Sequence, residues 1–163
     1  MLRRFNIEVA KDYFNFASAH FLIFSNGRRE ALHGHNYQVS VAVEGELDSS
    51  GVLLDFIAFK PLVKQACDEL DHRTLIQSAS PFLKVRQGRR EIEVLYKDQR
   101  IVLPRRDVIL LPVVNTSTEL LAEYIAGRIK GKIRRRFPGA RVHRIEIGVE
   151  ESRGQGGLFQ GEF

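Results

Sequence analysis

Two histidines one residue apart open the stretch that most constrains this chain, His33-Gly34-His35-Asn36-Tyr37. From His33 onward the odd positions are His33, His35, Tyr37, Val39, Val41 and Val43, whereas Asn36, Gln38, Ser40 and Glu44 among the even ones are polar. Side chains two apart share a face of a strand, so the alternation predicts a half-buried β-strand with both imidazoles on one side at its start. Upstream, Phe14, Phe16, Ser18 and His20 also share a parity. A second strand there would carry His20 to the same end of a sheet.

The resulting pattern, H-x12-H-x-H, suits a metal ion. Neutral imidazole is the commonest protein ligand for zinc, and three protein ligands with a fourth position open characterise catalytic rather than structural sites. On local pattern alone, His33 and His35 would equally serve as strand residues bonded to neighbours, with His20 unrelated. Cys67 is the single cysteine, which excludes an internal disulfide and a cysteine zinc cluster.

With 163 residues and no repeat or Pro/Ser-rich linker, the chain is expected to form one domain, 1–163. Phe5, Ile7 and Val9 alternate with polar or small residues, so the first strand starts there and resumes after a kink around Lys11-Asp12-Tyr13. Asp55 is a candidate cap for a helix with Pro61 in its first turn, an apolar face of Leu62, Val63, Ala66 and Leu70, and an end near Asp71-His72. A hairpin is expected over 91–103, and a short strand over 108–114. Thr116-Ser117-Thr118-Glu119 has the capping-box form, heading a helix with Leu121, Ile125, Ile129 and Ile133 on one stripe that stops at Pro138-Gly139. Strands at 143–151 and 158–161 follow. This order predicts an α+β fold, an antiparallel sheet covered on one face by two helices.

Phe16-Ala17-Ser18-Ala19-His20 followed by His33-Gly34-His35-Asn36-Tyr37 resembles the 6-pyruvoyltetrahydropterin synthase and 6-carboxytetrahydropterin synthase family, and the resemblance covers most of the chain. It implies the tunnelling fold (T-fold), in which subunit sheets join into barrels, and a homo-oligomer, trimer or hexamer, with sites between subunits. It also implies Zn2+ on His20, His33 and His35. The hairpin insertion at 91–103 is extra relative to shorter relatives.

The same resemblance assigns further residues, each with a plainer reading beside it. Leu70-Asp71-His72 is similar to a family segment whose aspartate and histidine transfer protons, although a histidine and acid at a helix C-terminus also suit a cap. Asn115-Thr116-Ser117-Thr118-Glu119 resembles the family's Asn-Pro-Thr-Ala-Glu-Asn segment, which implies that Thr118 and Glu119 hold a pterin ring. Leu120 replaces the usual asparagine, and a capping box alone would account for Glu119. Glu151, followed by Phe159-Gln160-Gly161-Glu162, fits the family glutamate that pairs with pterin N–H groups, with Glu150 as the alternative. A strand that had already reached solvent would also explain a carboxylate there.

One departure matters. Family members usually carry a cysteine four residues before the first histidine of His-Gly-His, and Arg29 stands there. Glu30 is the nearest candidate base, and a branch of the family linked to folate synthesis resembles this chain in having Glu at this place. A solvated loop glutamate is the plainer reading. The expectation is a zinc-dependent lyase acting on 7,8-dihydroneopterin triphosphate and yielding 6-hydroxymethyl-7,8-dihydropterin. The alternatives are 6-pyruvoyl- or 6-carboxytetrahydropterin synthase activity, or a non-catalytic pterin-binding module. The formal charge of +5 suits a polyanionic small substrate as well as nucleic acid, and the basic run 128–136 lacks interleaved aromatics, so no nucleic acid is expected. No apolar stretch approaches the ~18 residues of a membrane span, and no signal peptide is evident, which predicts a cytoplasmic protein.

Overall fold

The alternating apolar residues at 5–20 and 33–45 place two long strands side by side, and the rest of the chain packs around them. In the computed structural model, which describes residues 3–163, the elements in order are β1 (Phe5–His20), β2 (His33–Gly45), α1 (Phe56–Asp68), β3 (Arg73–Gln77), β4 (Lys84–Gln87), β5 (Glu91–Tyr96), β6 (Gln99–Pro104), β7 (Val108–Leu111), α2 (Thr118–Arg136), β8 (Val142–Ser152) and β9 (Gln155–Glu162). Strands β1, β2, β8 and β9 form an antiparallel ladder in the order β1-β2-β8-β9. The kink expected near 11–13 is a register shift between Ala10 and Asn15.

The sheet is mixed rather than wholly antiparallel, because two short strands extend it to the order β7-β3-β1-β2-β8-β9. Strand β3 runs parallel to β1, and β7 runs parallel to β3. Parallel neighbours need a long crossover, and the chain supplies two: β2 with α1, then β4 to β6. Their apolar runs, such as Leu75-Ile76, carry no period-two alternation to read in advance.

Both helices cover one face of the sheet. Phe14, Phe16, Tyr37, Val39, Val41, Ile145, Ile147 and Val149 meet Phe59, Val63, Ala66 and Cys67 of α1 and Leu121, Ile125, Ile129 and Ile133 of α2 in one core. Burial of each large apolar side chain contributes roughly 1.5–3 kcal/mol, which makes this layer the main support of the sheet.

The expected Asp55 cap is present, whereas other helix boundaries differ from expectation. Asp55 is the N-cap of α1, its carboxylate accepting the Ile57 N–H at 2.9 Å. Pro61 is the sixth helical residue, not part of the first turn, and it is tolerated because the carbonyl it leaves unpaired belongs to Ile57 at the exposed start of the helix. Helix α1 ends at Asp68, so Leu70 enters the core beyond it and Asp71-His72 lie on the link to β3. The capping box is corrected as well. Ser117 is the N-cap of α2, its hydroxyl accepting the Leu120 N–H, whereas Thr116 is fully buried one residue before it. Strand β7 stops at Leu111, just before Pro112.

The insertion is larger than a hairpin. Strand β4 joins β5 and β6 in a separate three-stranded sheet. Its buried residues Ile92, Val94 and Tyr96 meet Phe21, Ile23 and Ile76 in a second, smaller core. Among the described residues no helix is long and apolar enough to cross a membrane.

Candidate active site

Antiparallel pairing of β1 and β2 sets His20 opposite His33 and Ser18 opposite His35. The three imidazoles therefore converge, with ring centroids 4.8, 5.2 and 4.9 Å apart for His20–His33, His20–His35 and His33–His35. One ring nitrogen from each lies within 4.8 Å of the others.

Hydrogen bonds fix which nitrogen is free. His20 Nδ1 donates to the Thr116 carbonyl at 2.9 Å and His33 Nδ1 to the Ala31 carbonyl at 2.8 Å. A carbonyl only accepts, so each Nδ1 holds the proton and each Nε2 keeps its lone pair. His20 Nε2 is buried and has no partner among the described residues. Burial, ahead of the Thr116 bond that opposes it, lowers the His20 pKa and keeps the ring neutral. An orphaned lone pair costs roughly 1–3 kcal/mol unless it is satisfied, so this donor set fits a metal ion and is otherwise hard to account for.

Beneath the imidazoles lies Tyr37, fully buried, stacked on Phe16 at 4.7 Å and meeting His20 and His35 edge-on at 5.8 and 5.6 Å. Its hydroxyl is pushed above the usual tyrosine range, first by burial and then by the charges of Glu151 and Glu30. Two carboxylates approach the triad, Glu151 at His35 and Glu30 through the backbone just past His20. Glu30 is half-buried, and its Oε2 accepts the Leu22 N–H at 3.1 Å, two residues past His20. Glu151 continues the inward parity of Ile145, Ile147 and Val149, next to a register shift between Glu150 and Ser152. Its Oε2 is 3.7 Å from His35 Nε2, and its Oε1 accepts from Gln155.

The loop before α2 is stitched to the segment that follows His20. Asn115 exchanges two hydrogen bonds with the backbone of Ile23, at 3.2 and 3.0 Å, and the Thr116 hydroxyl donates to the Phe21 carbonyl at 3.1 Å. Thr116 thereby orients the buried metal-site histidine through its carbonyl. A backbone contact between residues 96 apart leaves no trace in sequence pattern. Thr118 and Glu119 stand at the first turn of α2, with the Thr118 hydroxyl 3.3 Å from Glu119 Oε2. Glu119's own N–H and the Ser117 and Thr118 hydroxyls hold its carboxyl below the usual range against a smaller effect of burial. Gly157 of β9 abuts this turn so closely that a Cβ would fall 2.6 Å from the Glu119 nitrogen.

Asp71 and His72 do not join the triad within one chain. Asp71 Oδ1 accepts the Ala17 N–H at 2.7 Å, and Oδ2 lies 2.9 Å from His72 Nδ1. His72 is exposed and lines a groove with Ala17, Ala19, Gly34 and Asn36. The side chains of Ala17, Ala19 and Asn36 alternate with those of Ser18, His20, His35 and Tyr37 and so point to the opposite face of the sheet, while Ser18 and His35 also line this groove. Cys67 is fully buried in α1, and burial pushes its thiol up to about 12.

Comparisons with known proteins agree with this geometry. A family model described as 6-pyruvoyl tetrahydropterin synthase matches residues 8–162. A provisionally assigned 6-carboxy-5,6,7,8-tetrahydropterin synthase of Methanocaldococcus jannaschii is 31% identical over 146 residues, which span 89% of this chain and 88% of that protein. Dihydroneopterin monophosphate aldolase of Pyrococcus furiosus is 46% identical over a shorter stretch of 46 residues, 28% of this chain and 40% of that one. Among solved structures, 6-pyruvoyl tetrahydropterin synthase from Plasmodium vivax superposes with a TM-score of 0.90 at 29% identity, covering 99% of both chains. That protein has also been solved with a catalytic glutamate replaced by alanine or by cysteine.

Proposed function

This chain belongs to the 6-pyruvoyl tetrahydropterin synthase family, and from that premise we propose that it cleaves the side chain of 7,8-dihydroneopterin triphosphate to give 6-hydroxymethyl-7,8-dihydropterin. The chain would act as a single domain, 1–163, in a cytoplasmic homo-oligomer, with Zn2+ held by His20, His33 and His35. The observation that carries the reading is the pairing of a histidine triad with a nearby carboxylate, Glu30, in a chain whose one thiol is sealed in the core. The catalytic glutamate of the Plasmodium vivax relative and the aldolase activity in the name of the Pyrococcus furiosus relative both support it.

Zinc in that triad would supply Lewis acidity that makes the substrate's hydroxyl and adjacent C–H protons easier to remove. Glu30 takes the proton from the hydroxyl on the second side-chain carbon. The bond between the first and second carbons then breaks, its electron pair passing into the conjugated ring, and an aldehyde leaves. His72, oriented by Asp71, returns a proton to the first carbon. Glu151 accepts from the guanidine-like edge of the pterin, which suits two parallel N–H donors. Thr118 and Glu119 hold the ring from the start of α2.

Because Asp71 is tied to the Ala17 N–H and His72 to Asp71 rather than to the triad, the proton donor would come from a neighbouring copy. This favours a trimer or hexamer with sites between subunits. His72 has a φ of 55°, a conformation that costs a non-glycine residue roughly 1–2 kcal/mol, and a functional position is where such strain is usually retained.

A second reading, 6-carboxytetrahydropterin synthase activity, is favoured by the name of the Methanocaldococcus jannaschii relative. A carboxylate and a thiol differ by about four pKa units in free solution, which disfavours the C–H proton shuttling that this product requires. Zinc-loaded protein incubated with 7,8-dihydroneopterin triphosphate should give mainly 6-hydroxymethyl-7,8-dihydropterin on chromatography, and Glu30→Ala should slow it roughly 100-fold or more. A dominant 6-carboxy or 6-pyruvoyl product would overturn the assignment.

A further inference from the structure

The extra sheet has no role in the chemistry derived so far, yet its outermost turn reaches the one loop on which that chemistry depends. Residues 22–30 form a small hairpin. Ile23 pairs with Arg29, the Glu30 N–H donates to the Leu22 carbonyl at 2.9 Å, and Gly27 closes the turn at a φ of 76°. An isolated two-stranded hairpin is marginal in water, and Ser25, Asn26 and Arg28 at its tip are exposed.

Asn115 holds its base at Ile23, and its tip is fixed from the other side. Tyr96, the last residue of β5, donates its hydroxyl to the Gly27 carbonyl. Gln99, the first residue of β6, accepts Nε and Nη2 of Arg29 on its Oε1, at 3.1 and 2.9 Å. The Arg29 guanidinium lies over the rings of Phe21 and Tyr96, 5.1 and 5.8 Å from their centroids. Arg29 and Glu30 are consecutive on an extended segment, so their side chains diverge. Arg29 is drawn to the extra sheet, and Glu30 is left towards Leu22 and the histidine end of β1.

We propose that the 96–99 turn of the inserted sheet is a positioning device for Glu30, with Gln99 and Tyr96 acting through Arg29 and Gly27. The proposal rests on Glu30 being the base. A shift of about 1 Å in a reacting group costs up to roughly 100-fold in rate, and the bonds just named are what resist such a shift. Arg29, in the place where relatives carry cysteine, then serves as the tether that holds the adjacent residue.

Kinetics of the zinc-loaded protein on 7,8-dihydroneopterin triphosphate test this. Gln99→Ala should lower kcat roughly 10- to 100-fold with KM and zinc per subunit unchanged, and should speed amide exchange at residues 24–30. Gln99→Glu, whose carboxylate still accepts both Arg29 donors, should restore kcat. Tyr96→Phe, which removes only the bond to Gly27, should lower kcat in the same direction. Combined with Glu30→Ala, Gln99→Ala should add nothing. Wild-type kcat in Gln99→Ala beside a full loss in Glu30→Ala overturns the clamp alone, as does an additive loss in the double variant. Wild-type kcat in Glu30→Ala removes the base assignment and the clamp with it.

Discussion

At His20 a single hydrogen bond decides what the site can hold. With Nδ1 committed to the Thr116 carbonyl, the lone pair of Nε2 has no partner among the described residues and is free to hold a ligand. His33 is exposed and held through Ala31, so it can be removed without opening the core. His33→Ala should fold with a near-normal melting temperature and bind zinc at least roughly 100-fold more weakly, since even outer-shell changes at such sites cost 10- to 100-fold. Metal analysis after dialysis reads the result, and stoichiometric zinc in the variant would count against the triad. At this scale the clustering of the three histidines was legible in the spacing, whereas Glu30 and Glu151 were singled out through the family resemblance. The carbonyls that aim the rings were not, because backbone acceptors have no sequence signature.

The start of α2 shows how two plausible readings of one segment are separated. Thr116-Ser117-Thr118-Glu119 fits a capping box on paper, but the Thr116 hydroxyl is drawn to the Phe21 carbonyl, and capping passes to Ser117. Glu119 then sits one position too early to reach back as a box glutamate, and its carboxylate bonds its own N–H and the neighbouring hydroxyls instead. Ser117→Ala should cost about 1 kcal/mol and lower the melting temperature by roughly 2–4 °C, with substrate affinity little changed. Glu119→Ala should show the converse, a smaller stability loss of about 0.3–1 kcal/mol from the helix dipole and a clear rise in KM. Thermal melts and steady-state kinetics on both variants decide whether capping and substrate binding are divided in this way. The Pro61 placement has a similar origin. Residues 56–60 have little sequence reason to be helical, and the Asp55 cap and the buried Phe59 recruit them.

On the scale of the molecule, the expected machinery is split. Glu151 reaches the triad at His35, whereas the Asp71-His72 pair is tied to the backbone of Ala17, beside a groove that Ser18 and His35 also line. Strands β7 and β9 end the sheet as unpaired edges among the described residues, the kind of surface that joins copies in an oligomer. If sites form between copies, a dissociated and reassembled mixture of His33→Ala and His72→Ala subunits should recover activity that neither has alone. The yield should approach about a quarter of the wild-type rate, the chance that both contributions to a site come from intact copies. An inactive mixture of intact oligomers would place all the groups within one subunit.

The sequence by itself determined the alternating strands, the two amphipathic helices and the three histidines that converge, and it offered a single cysteine. All of these are local patterns or counts, and local backbone periodicity projects them directly onto faces. Only the tertiary structure decided that β3 and β7 extend the sheet in parallel, that Ser117 rather than Thr116 caps α2, that Arg29 is held by a distant turn, and that the Asp71-His72 pair is tied to Ala17 rather than to the histidines. Each depends on which of several locally acceptable partners lies nearest once separate segments have packed, and that competition is settled by contacts the linear order does not contain.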